Sequence, residues 1–345
     1  ELQLKDINTW RSFSKNSSKS GKEKSRVNLS IGIVGLPNVG KSTLFNALLK
    51  KQQALVANYP FATIEPNVGV VPVPDERLEK LAEITKTEEK MSDLPPIKPA
   101  TVNFIDIAGL VKGANEGAGL GNKFLSHIRE VSVIAHVVRA FEDPNVVKEG
   151  SVDPLNDYKV VRTELELADL EKGGEIAKKP ELIVLNVSEN EYNPNSIKKI
   201  TQTYANMLNI QENRIIVISA KIESELAGLS EEEQKEYLKD LGLEFSGLER
   251  LIQKAYEELG LISFLTAGVK EVRAWTVRLG STSLTAAGEI HTDFMQKFIK
   301  AEAVKFSDFV SHAGWKGSRE AGKARLEGRD YIVKDGDVIE FKIGT

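Results

Sequence analysis

The sequence contains no cysteine in 345 residues, and this absence excludes disulfide bonds and thiolate metal sites. Long hydrophobic runs are absent too, since the apolar stretches have the length of a strand and a membrane helix needs roughly 20 residues. The start of the sequence does not resemble a secretory signal peptide. The formal net charge is only -4, so no global basic field favours nucleic acid or a membrane surface. The composition is typical of a soluble globular protein in a reducing compartment, and we expect a cytoplasmic location.

The composition divides the chain into three parts. Residues 1–28 are rich in serine and lysine, with seven basic and three acidic residues over positions 1–27. We expect a flexible extension there, or a remnant introduced by cloning. A nucleic-acid-binding arm and an organelle-targeting remnant are the alternatives. Residues 29–262 are expected to form the main domain, and residues 263–345 a small second domain.

In the main domain, short apolar strands alternate with helical stretches. Strands are predicted at residues 29–35, 101–109, 133–141, 181–187 and 214–220. This alternation is typical of an α/β fold with a parallel, doubly wound sheet that helices cover on both faces. In the second domain we expect an α+β arrangement of short strands around one helix, with a hairpin turn at Asp335–Gly336.

The stretch GLPNVGKS, Gly35–Ser42, matches the phosphate-loop pattern G-x-x-x-x-G-K-[ST] between a predicted strand and a predicted helix. Its glycines allow backbone N–H groups to surround phosphates, and the helix N-terminus adds the positive end of its dipole. We expect Lys41 to reach the β- and γ-phosphates and the Ser42 hydroxyl to bind Mg²⁺. The alternative is a glycine-rich turn with a solvated lysine.

Two further residues of such a site follow the phosphate loop. Asp106 ends a predicted strand about 65 residues after Lys41, and Gly109 completes a D-x-x-G pattern. We expect the Asp106 carboxylate to support Mg²⁺ through water and the Gly109 N–H to sense the γ-phosphate. Thr63, which lies between the two motifs, is a candidate switch threonine that closes over the magnesium, or an ordinary loop residue.

The loop after the fourth predicted strand has the position of the guanine-reading N-K-x-D motif but reads Asn186, Val187, Ser188, Glu189. In N-K-x-D the aspartate accepts two hydrogen bonds from guanine, and the lysine stem covers the ring. Val187 removes that lysine, and Glu189 places its carboxylate one methylene further out. The selectivity of this loop for guanine is therefore weakened or lost, and the loop either accepts adenine or is an ordinary loop.

The water-positioning residue is altered as well. Ras-like enzymes place a glutamine after the D-x-x-G glycine, whereas this chain has Leu110, which cannot form a hydrogen bond through its side chain. Another loop, a monovalent cation or a partner must then position the water, and we expect slow intrinsic turnover. Asn38 is a candidate potassium ligand or a residue that only shapes the loop.

Long segments of residues 29–345 resemble the YchF/Obg-like ATPase family of P-loop NTPases. The matching stretches include GIVGLPNVGKSTLFNAL, DIAGLVKGANEGAGLGNKFLSHIREV, NVSE, TAGVKEVRAWT and GRDYIVKDGDVIEF. The resemblance implies a Ras-like domain with a helical insertion, followed by a ubiquitin-like β-grasp module called the TGS domain. It also implies that ATP is preferred over or alongside GTP and is hydrolysed with Mg²⁺, and that the chain binds ribosomes and acts in translation and stress responses.

The resemblance assigns nucleotide binding to residues in three loops. It implies phosphate contacts for Asn38, Val39, Gly40, Lys41, Ser42 and Thr43, and base contacts for Asn186, Val187 and Glu189. Ser219 and Ala220 would contribute backbone N–H groups on the base side.

The chain departs from the family pattern at two places. Lys148 stands where relatives usually carry a histidine that is a candidate for positioning water, so we assign Lys148 to the catalytic group only as a stabiliser of negative charge. The long helical hairpin expected near residues 150–180 is shortened, because Gly173–Gly174 leads almost at once to the next strand. Either the chain lacks this hairpin, or a segment is missing from the numbered sequence.

The remaining charged residues suggest partners less specifically. No pair of the four histidines has metal-ligand spacing, so we expect structural or surface roles for them. Residues 263–345 carry 13 basic and 11 acidic residues, which fits either RNA contact through a local patch or a protein-binding module.

Three functions are compatible with these observations. The first is an ATP-hydrolysing molecular switch that associates with the ribosome. The second is a GTP-specific switch that reads guanine by other contacts. The third is a binding adaptor in which the nucleotide is purely structural.

Overall fold

The computed structural model describes residues 29–58, 67–107, 120–142, 152–172 and 174–344. The strands of this part are β1 (Ser30–Val34), β2 (Val68–Pro72), β3 (Ile97–Lys98), β4 (Thr101–Asp106), β5 (Val133–Arg139), β6 (Glu181–Asn186), β7 (Ile215–Ile218), β8 (Leu261–Ala267), β9 (Val272–Arg278), β10 (Phe298–Lys305), β11 (Arg325–Glu327) and β12 (Asp337–Ile343). Its α-helices are α1 (Lys41–Asn58), α2 (Arg77–Glu88), α3 (Leu120–Glu130), α4 (Pro154–Lys172), α5 (Pro194–Leu208), α6 (Ala220–Leu226), α7 (Glu231–Asp240), α8 (Gly247–Glu258), α9 (Ser283–Ile290), α10 (Thr292–Gln296), α11 (Phe306–Ser311) and α12 (Trp315–Glu320).

The first sheet confirms the predicted doubly wound α/β fold. Its strand order is β2-β4-β1-β5-β6-β7, and all neighbours are parallel except β2 and β4. Every residue of β1 and β5 is buried, because α1 and α8 pack on one face of the sheet and α3 and α4 on the other. Burial on both faces explains why these strands are continuous apolar runs in the sequence.

The antiparallel edge strand β2 was missed by sequence reasoning. Its residues VGVVP alternate between half-buried and buried, and a glycine and a terminal proline weaken the strand signal. β2 pairs with β4 from Val68↔Ile105 to Pro72↔Thr101. An edge strand of this kind depends on its neighbour for its register, so the local sequence predicts it poorly.

The second sheet has the order β11-β10-β12-β8-β9-β3. The prediction of one helix in this part was wrong, since residues 263–344 contain the four short helices α9–α12. The predicted hairpin at Asp335–Gly336 was also wrong. A turn does occur there, but β12 pairs antiparallel with β10 and parallel with β8. The Asp335 carboxylate accepts hydrogen bonds from the Ser263 backbone N–H at 3.0 Å and from Arg77 at 2.7 Å, so distant partners fix this turn.

The two parts of the chain are joined by a strand, by hydrogen bonds and by a common core. β3 comes from the first half of the chain and pairs parallel with β9 in the second sheet. At the end of α2, the Glu88 carboxylate accepts hydrogen bonds from the backbone N–H groups of Trp315 and Lys316 at 3.0 and 2.6 Å. One buried apolar cluster includes Leu81 of α2 together with Val272 and Val338 of the second sheet. The helix α2 therefore packs against the second sheet, and its apolar cluster continues to residues of the first sheet such as Ile31 and Phe104.

A tight turn connects α4 to β6, where the sequence suggested a shortened hairpin. The Asp169 carboxylate accepts hydrogen bonds from the backbone N–H groups of Glu175, Ile176 and Ala177 at 3.2, 2.9 and 2.7 Å. Ile176 is buried against the α3 and α4 side of the sheet. This turn leads directly into β6.

Within the described ranges, none of the helices combines the length and apolar character needed to cross a bilayer.

Candidate nucleotide-binding site

The candidate site lies at the carboxyl edge of the first sheet. The phosphate loop follows β1, Asp106 ends β4, Asn186 ends β6, and Ser219 and Ala220 follow β7. These strands are parallel, so their carboxyl ends meet at one edge, which is where open α/β sheets bind ligands. A cavity of about 790 Å³ opens there. Its lining includes the phosphate-loop residues Asn38, Gly40, Lys41, Ser42 and Thr43.

The phosphate loop has a backbone conformation that depends on its glycines. Gly35 and Gly40 have φ values of 151° and 102°, and a Cβ at either position would overlap a neighbouring atom. For Gly35 this atom is the carbonyl oxygen of Val137, and for Gly40 it is the amide nitrogen of Asn186. Asn38 is also left-handed, at φ 61°, which asparagine tolerates better than most residues. The sequence thus permits a close approach between the loop and the sheet.

Asn186 is a buried clamp between loops rather than an exposed base-reading group. Its Nδ2 donates to the Val39 carbonyl at 3.0 Å, and its Oδ1 accepts from the Ala220 backbone N–H at 2.9 Å. The residue is only 4% exposed. The side chain of Val39, within the phosphate loop, packs in the core instead of lining the cavity. The Ala220 N–H, which the sequence predicted as a base-side donor, is therefore engaged by Asn186.

Lys41 and Asp106 are brought together behind the phosphate loop. Lys41 is buried, and its Nζ donates to the Leu36 carbonyl at 2.6 Å. Burial lowers the pKa of Lys41, and the Asp106 carboxylate opposes this shift. Burial likewise raises the pKa of Asp106, and the charge of Lys41 opposes that shift. Ser42 and Thr43 open α1 with exposed side chains, and both line the cavity.

The end of the cavity at the Asn186–Glu189 loop, which we call the base end, combines an apolar wall with a charged rim. Val187 is buried in the core beneath it, and Phe141 follows β5 on the same edge of the sheet. The Phe141 carbonyl accepts a hydrogen bond from Arg139 at 3.0 Å, and the same guanidinium lies 4.6 Å from the centre of its ring. At the rim, Glu189 forms an ion pair with Lys221 at 2.7 Å.

A buried polar network supports the loop behind Glu189. The Tyr192 hydroxyl donates to Glu223 at 2.9 Å and accepts from the Gly247 backbone N–H at 2.6 Å. Burial raises the pKa of both Tyr192 and Glu223. These contacts fix the 3₁₀ turn Glu189–Glu191 to the start of α6 and α8, so the base end is built on a rigid support.

Several predicted residues lie outside the described ranges. These are Thr63, Gly109, Leu110 and Lys148. Among the described histidines, His136 is buried on β5 and contacts the Glu181 carboxylate at 2.9 Å, with Tyr158 stacked on its ring. Burial and the negative charge of Glu181 raise the pKa of Tyr158 to about 12. In the described part of the chain, no cluster of three or more His, Cys, Asp or Glu side chains could hold a metal ion.

Sequence reasoning assigned no role in binding to six residues that line the cavity. They are Phe141, Glu142, Ser188, Lys221, Ser224 and Glu225. Ser188 lies between the predicted Val187 and Glu189, Lys221 directly follows the predicted Ala220, and Phe141 is the second residue after β5. Extending each motif by one or two residues would have found them. Ser224 and Glu225 lie one turn further along α6 and had no comparable signal.

Comparison with family models assigns both halves of the chain. Residues 30–187 match the model described as 50S ribosome-binding GTPase. Residues 261–344 match the YchF-GTPase_C model, described as a protein of unknown function. The first match contains the phosphate loop and Asn186, and the second contains β8–β12.

Curated relatives align with most of the chain. The protein named Ribosome-binding ATPase YchF from Escherichia coli O157:H7 is 44% identical over 366 residues, covering 90% of this chain and 98% of the relative. The proteins of the same name from Haemophilus influenzae and Bacillus subtilis are 47% and 43% identical, covering 91% and 92% of this chain and 99% and 100% of the relatives. Nine tenths of 345 residues is about 310, so about 55 of the 366 positions aligned to the E. coli relative have no counterpart here. Because the alignment covers that relative almost from end to end, these unmatched positions lie inside the aligned region and not at its ends.

A solved structure agrees with this assignment. The Schizosaccharomyces pombe YchF GTPase superposes with a TM-score of 0.76 at 33% identity, covering 91% of this chain and 98% of that chain. Two family models, several curated relatives over most of their length and a solved fold thus agree, and the chain belongs to the YchF family.

Proposed function

We propose that this chain is a molecular switch that binds and slowly hydrolyses ATP, associates with ribosomes, and acts in translation or stress regulation. The observation that carries the proposal is one cavity with the phosphate loop at one end and the Asn186–Glu189 loop at the other. The curated relatives are named ribosome-binding ATPases, and that name supports both the nucleotide and the partner.

The base end favours adenine over guanine in this proposal. Asn186 is committed to the Val39 and Ala220 backbones, and Val187 supplies an apolar surface in place of a lysine stem. Phe141 adds an aromatic ring to the same wall of the cavity. A GTP-specific switch that reads guanine by other contacts is the alternative.

Mg²⁺ is the expected cofactor, and the residues present fit it. Ser42 is exposed and lines the cavity, and Asp106 is a half-buried carboxylate whose charge interacts with Lys41. Hydroxyl and carboxylate oxygens are ligands that Mg²⁺ accepts. Ser42 would hold the ion directly and Asp106 through water, with Thr63 as the third predicted ligand. When bound, the ion neutralises negative charge on the β- and γ-phosphates. Asn38 lines the cavity and would bind K⁺ as an activator.

Slow turnover follows from the residues around the γ-phosphate. Leu110 replaces the water-positioning glutamine, so Lys41 and the Gly109 N–H stabilise charge without orienting the water. Lys148 would add a positive group. A supplied positive group is worth roughly 10³–10⁵ in this chemistry, so a partner that completes the site controls the lifetime of the ATP state.

The remaining parts of the proposal concern organisation and location. Residues 29–262 would bind nucleotide, and residues 263–345 would form a TGS domain that contacts the partner, with RNA contact through a local patch or a protein contact as the two modes. We propose a cytoplasmic location, with an organelle matrix as the alternative if residues 1–28 are a targeting remnant.

The experiment that tests the proposal is equilibrium binding of ATP and GTP with Mg²⁺, in potassium and then in sodium buffer, together with turnover measured with and without ribosomes. We expect ATP to bind at least tenfold tighter than GTP, which is about 1.4 kcal/mol. Lys41→Ala should abolish tight binding and turnover, while Lys80→Ala, on the exposed face of α2, should change neither. The proposal is refuted if Lys41→Ala binds and hydrolyses ATP as well as the unmutated chain.

The same variant separates a switch from a nucleotide-containing adaptor. A switch requires that ribosome association depend on the nucleotide state. Lys41→Ala should then cosediment with ribosomes to the same extent with and without ATP. The adaptor would be favoured if the unmutated chain bound ribosomes fully without nucleotide. It would also have to hydrolyse no ATP in potassium buffer with ribosomes present.

A further inference from the structure

The charged rim of the base end is formed by two side chains from neighbouring loops. Glu189 opens the 3₁₀ turn after β6, and Lys221 is the second residue of α6 after β7. Their Oε2 and Nζ atoms lie 2.7 Å apart, and both residues line the cavity. The side chains are 45% and 65% exposed, so a ligand can reach both.

The neighbouring polar groups of the base loop have other partners. Asn186 is hydrogen-bonded to the Val39 and Ala220 backbones. The Ser188 hydroxyl donates to Glu191 at 2.8 Å. On α6, the Glu225 carboxylate accepts from the Tyr237 hydroxyl at 3.4 Å. The Glu189–Lys221 pair is consequently the charged group best placed to contact the edge of a base held between the apolar wall and the rim.

The ion pair changes what Glu189 can accept. A free carboxylate offers two oxygens side by side, and that arrangement suits the adjacent N1–H and N2–H donors of guanine. With Oε2 held by Lys221, the rim offers one acceptor oxygen next to an ammonium donor. Adenine presents one donor, the N6 amine, next to one acceptor, N1, and therefore matches this pattern. Guanine could place O6 and N1–H against the pair, but its N2 amine would then lack an acceptor.

We infer that Lys221 is a specificity-determining residue, which shifts base selectivity from guanine toward adenine by occupying one oxygen of Glu189. This inference rests on the proposed nucleotide-binding function. The role belongs to selectivity and not to stability, because an exposed ion pair contributes little to folding. Removing Lys221 should free the second oxygen, and one hydrogen bond gained by guanine corresponds to about a three- to tenfold change in affinity.

The test compares the ratio of the dissociation constants for GTP and ATP, each with Mg²⁺, in the full chain and its variants. The phosphate contacts are common to both nucleotides and cancel in this ratio. We expect Lys221→Met to lower the GTP/ATP ratio of dissociation constants about three- to tenfold. Lys221→Arg keeps a cation beside Glu189, so its GTP/ATP ratio of dissociation constants should stay close to that of the unmutated chain. Lys80→Met is the matched control, since Lys80 forms a similarly exposed ion pair with Glu83 at 2.9 Å.

A double-variant cycle identifies the route of the effect. If Lys221 acts through Glu189, Lys221→Met should leave the ratio unchanged in a Glu189→Gln background. A ratio that changes less than twofold in Lys221→Met, or that shifts equally in the Glu189→Gln background, overturns the inference and leaves the proposed function intact. If the unmutated chain binds neither nucleotide, the proposed function and this inference both fail.

Discussion

The substitution Asn186→Ala tests whether the end of β6 holds the site together without any ligand. The Asn186 amide bridges the Val39 carbonyl at 3.0 Å and the Ala220 N–H at 2.9 Å, and all three residues are buried. Truncation to alanine removes both hydrogen bonds and leaves two backbone groups without these partners. A buried polar group that loses its partner costs about 1–3 kcal/mol, so the two together would cost about 2–6 kcal/mol if the site stayed dry.

The neighbouring cavity lowers this estimate. A space of about 790 Å³ adjoins the phosphate loop, and water entering from it can satisfy part of what the amide leaves behind. We therefore expect Asn186→Ala to reduce the free energy of unfolding by about 2–3 kcal/mol, a large share of the roughly 5–15 kcal/mol typical of a folded domain.

The measurement is urea unfolding of the nucleotide-free chain, read as a shift of the midpoint at an unchanged slope. Asn190→Ala is the matched control, since Asn190 is exposed in the same loop, and we expect a change within about 0.5 kcal/mol. Asn186→Asp keeps the acceptor for the Ala220 N–H but turns a carboxylate toward the Val39 carbonyl, so it should be at least as destabilising as alanine at neutral pH. A loss for Asn186→Ala no larger than that for Asn190→Ala would refute the clamp.

Two further predictions concern the turn after α4 and the contact between the sheets. Burial opposes ionisation of Asp169, but hydrogen bonds from three backbone N–H groups hold its pKa below the ordinary value. Its stabilisation is therefore present above the unfolded pKa of about 3.9 and is lost as the pH falls through the lower folded value. Asp169→Asn should cost about 1–2 kcal/mol in urea unfolding at pH 7, with a difference that narrows below about pH 4; a constant difference would contradict this. Glu88→Ala should speed amide hydrogen exchange at Trp315 and Lys316, while the first sheet keeps its protection. Glu89→Ala is the control, since Glu89 is exposed, and it should change the exchange of neither amide. Equal exchange rates in both variants would exclude the hydrogen bonds from these amides to Glu88.

The sequence predicted the first sheet well because its signal is local. Strands such as β1 and β5 are buried on both faces, and a continuous apolar run between turn residues is enough to identify them. β2 and β3 depend on their neighbours instead, since one is an alternating edge strand and the other has only two residues. The hairpin expected at Asp335–Gly336 failed for the same reason. That turn is held by Arg77 and Ser263, which are 258 and 72 residues away along the chain.

The candidate site shows the same division between local and distant information. The phosphate loop was predictable, because its glycines and Lys41 form a contiguous pattern whose backbone conformation the structure reproduces. The role of Asn186 was not, because its partners Val39 and Ala220 are 147 and 34 residues away along the chain. The pairing of Glu189 with Lys221 likewise depends on two strands being neighbours in the sheet.

This division also explains how a loop can keep the form of a guanine-reading motif after losing the groups that read guanine. The first position, Asn186, is fixed by folding, since its amide joins two buried backbones whether or not a base is present. Val187 is fixed as well, because it packs in the core beneath the cavity. Glu189 has no such structural role, since its carboxylate lies at the rim and contacts the still more exposed Lys221. In the proposed function, a change at the rim would alter which base fits without disturbing the clamp, so specificity and stability would be carried by different residues of one short loop.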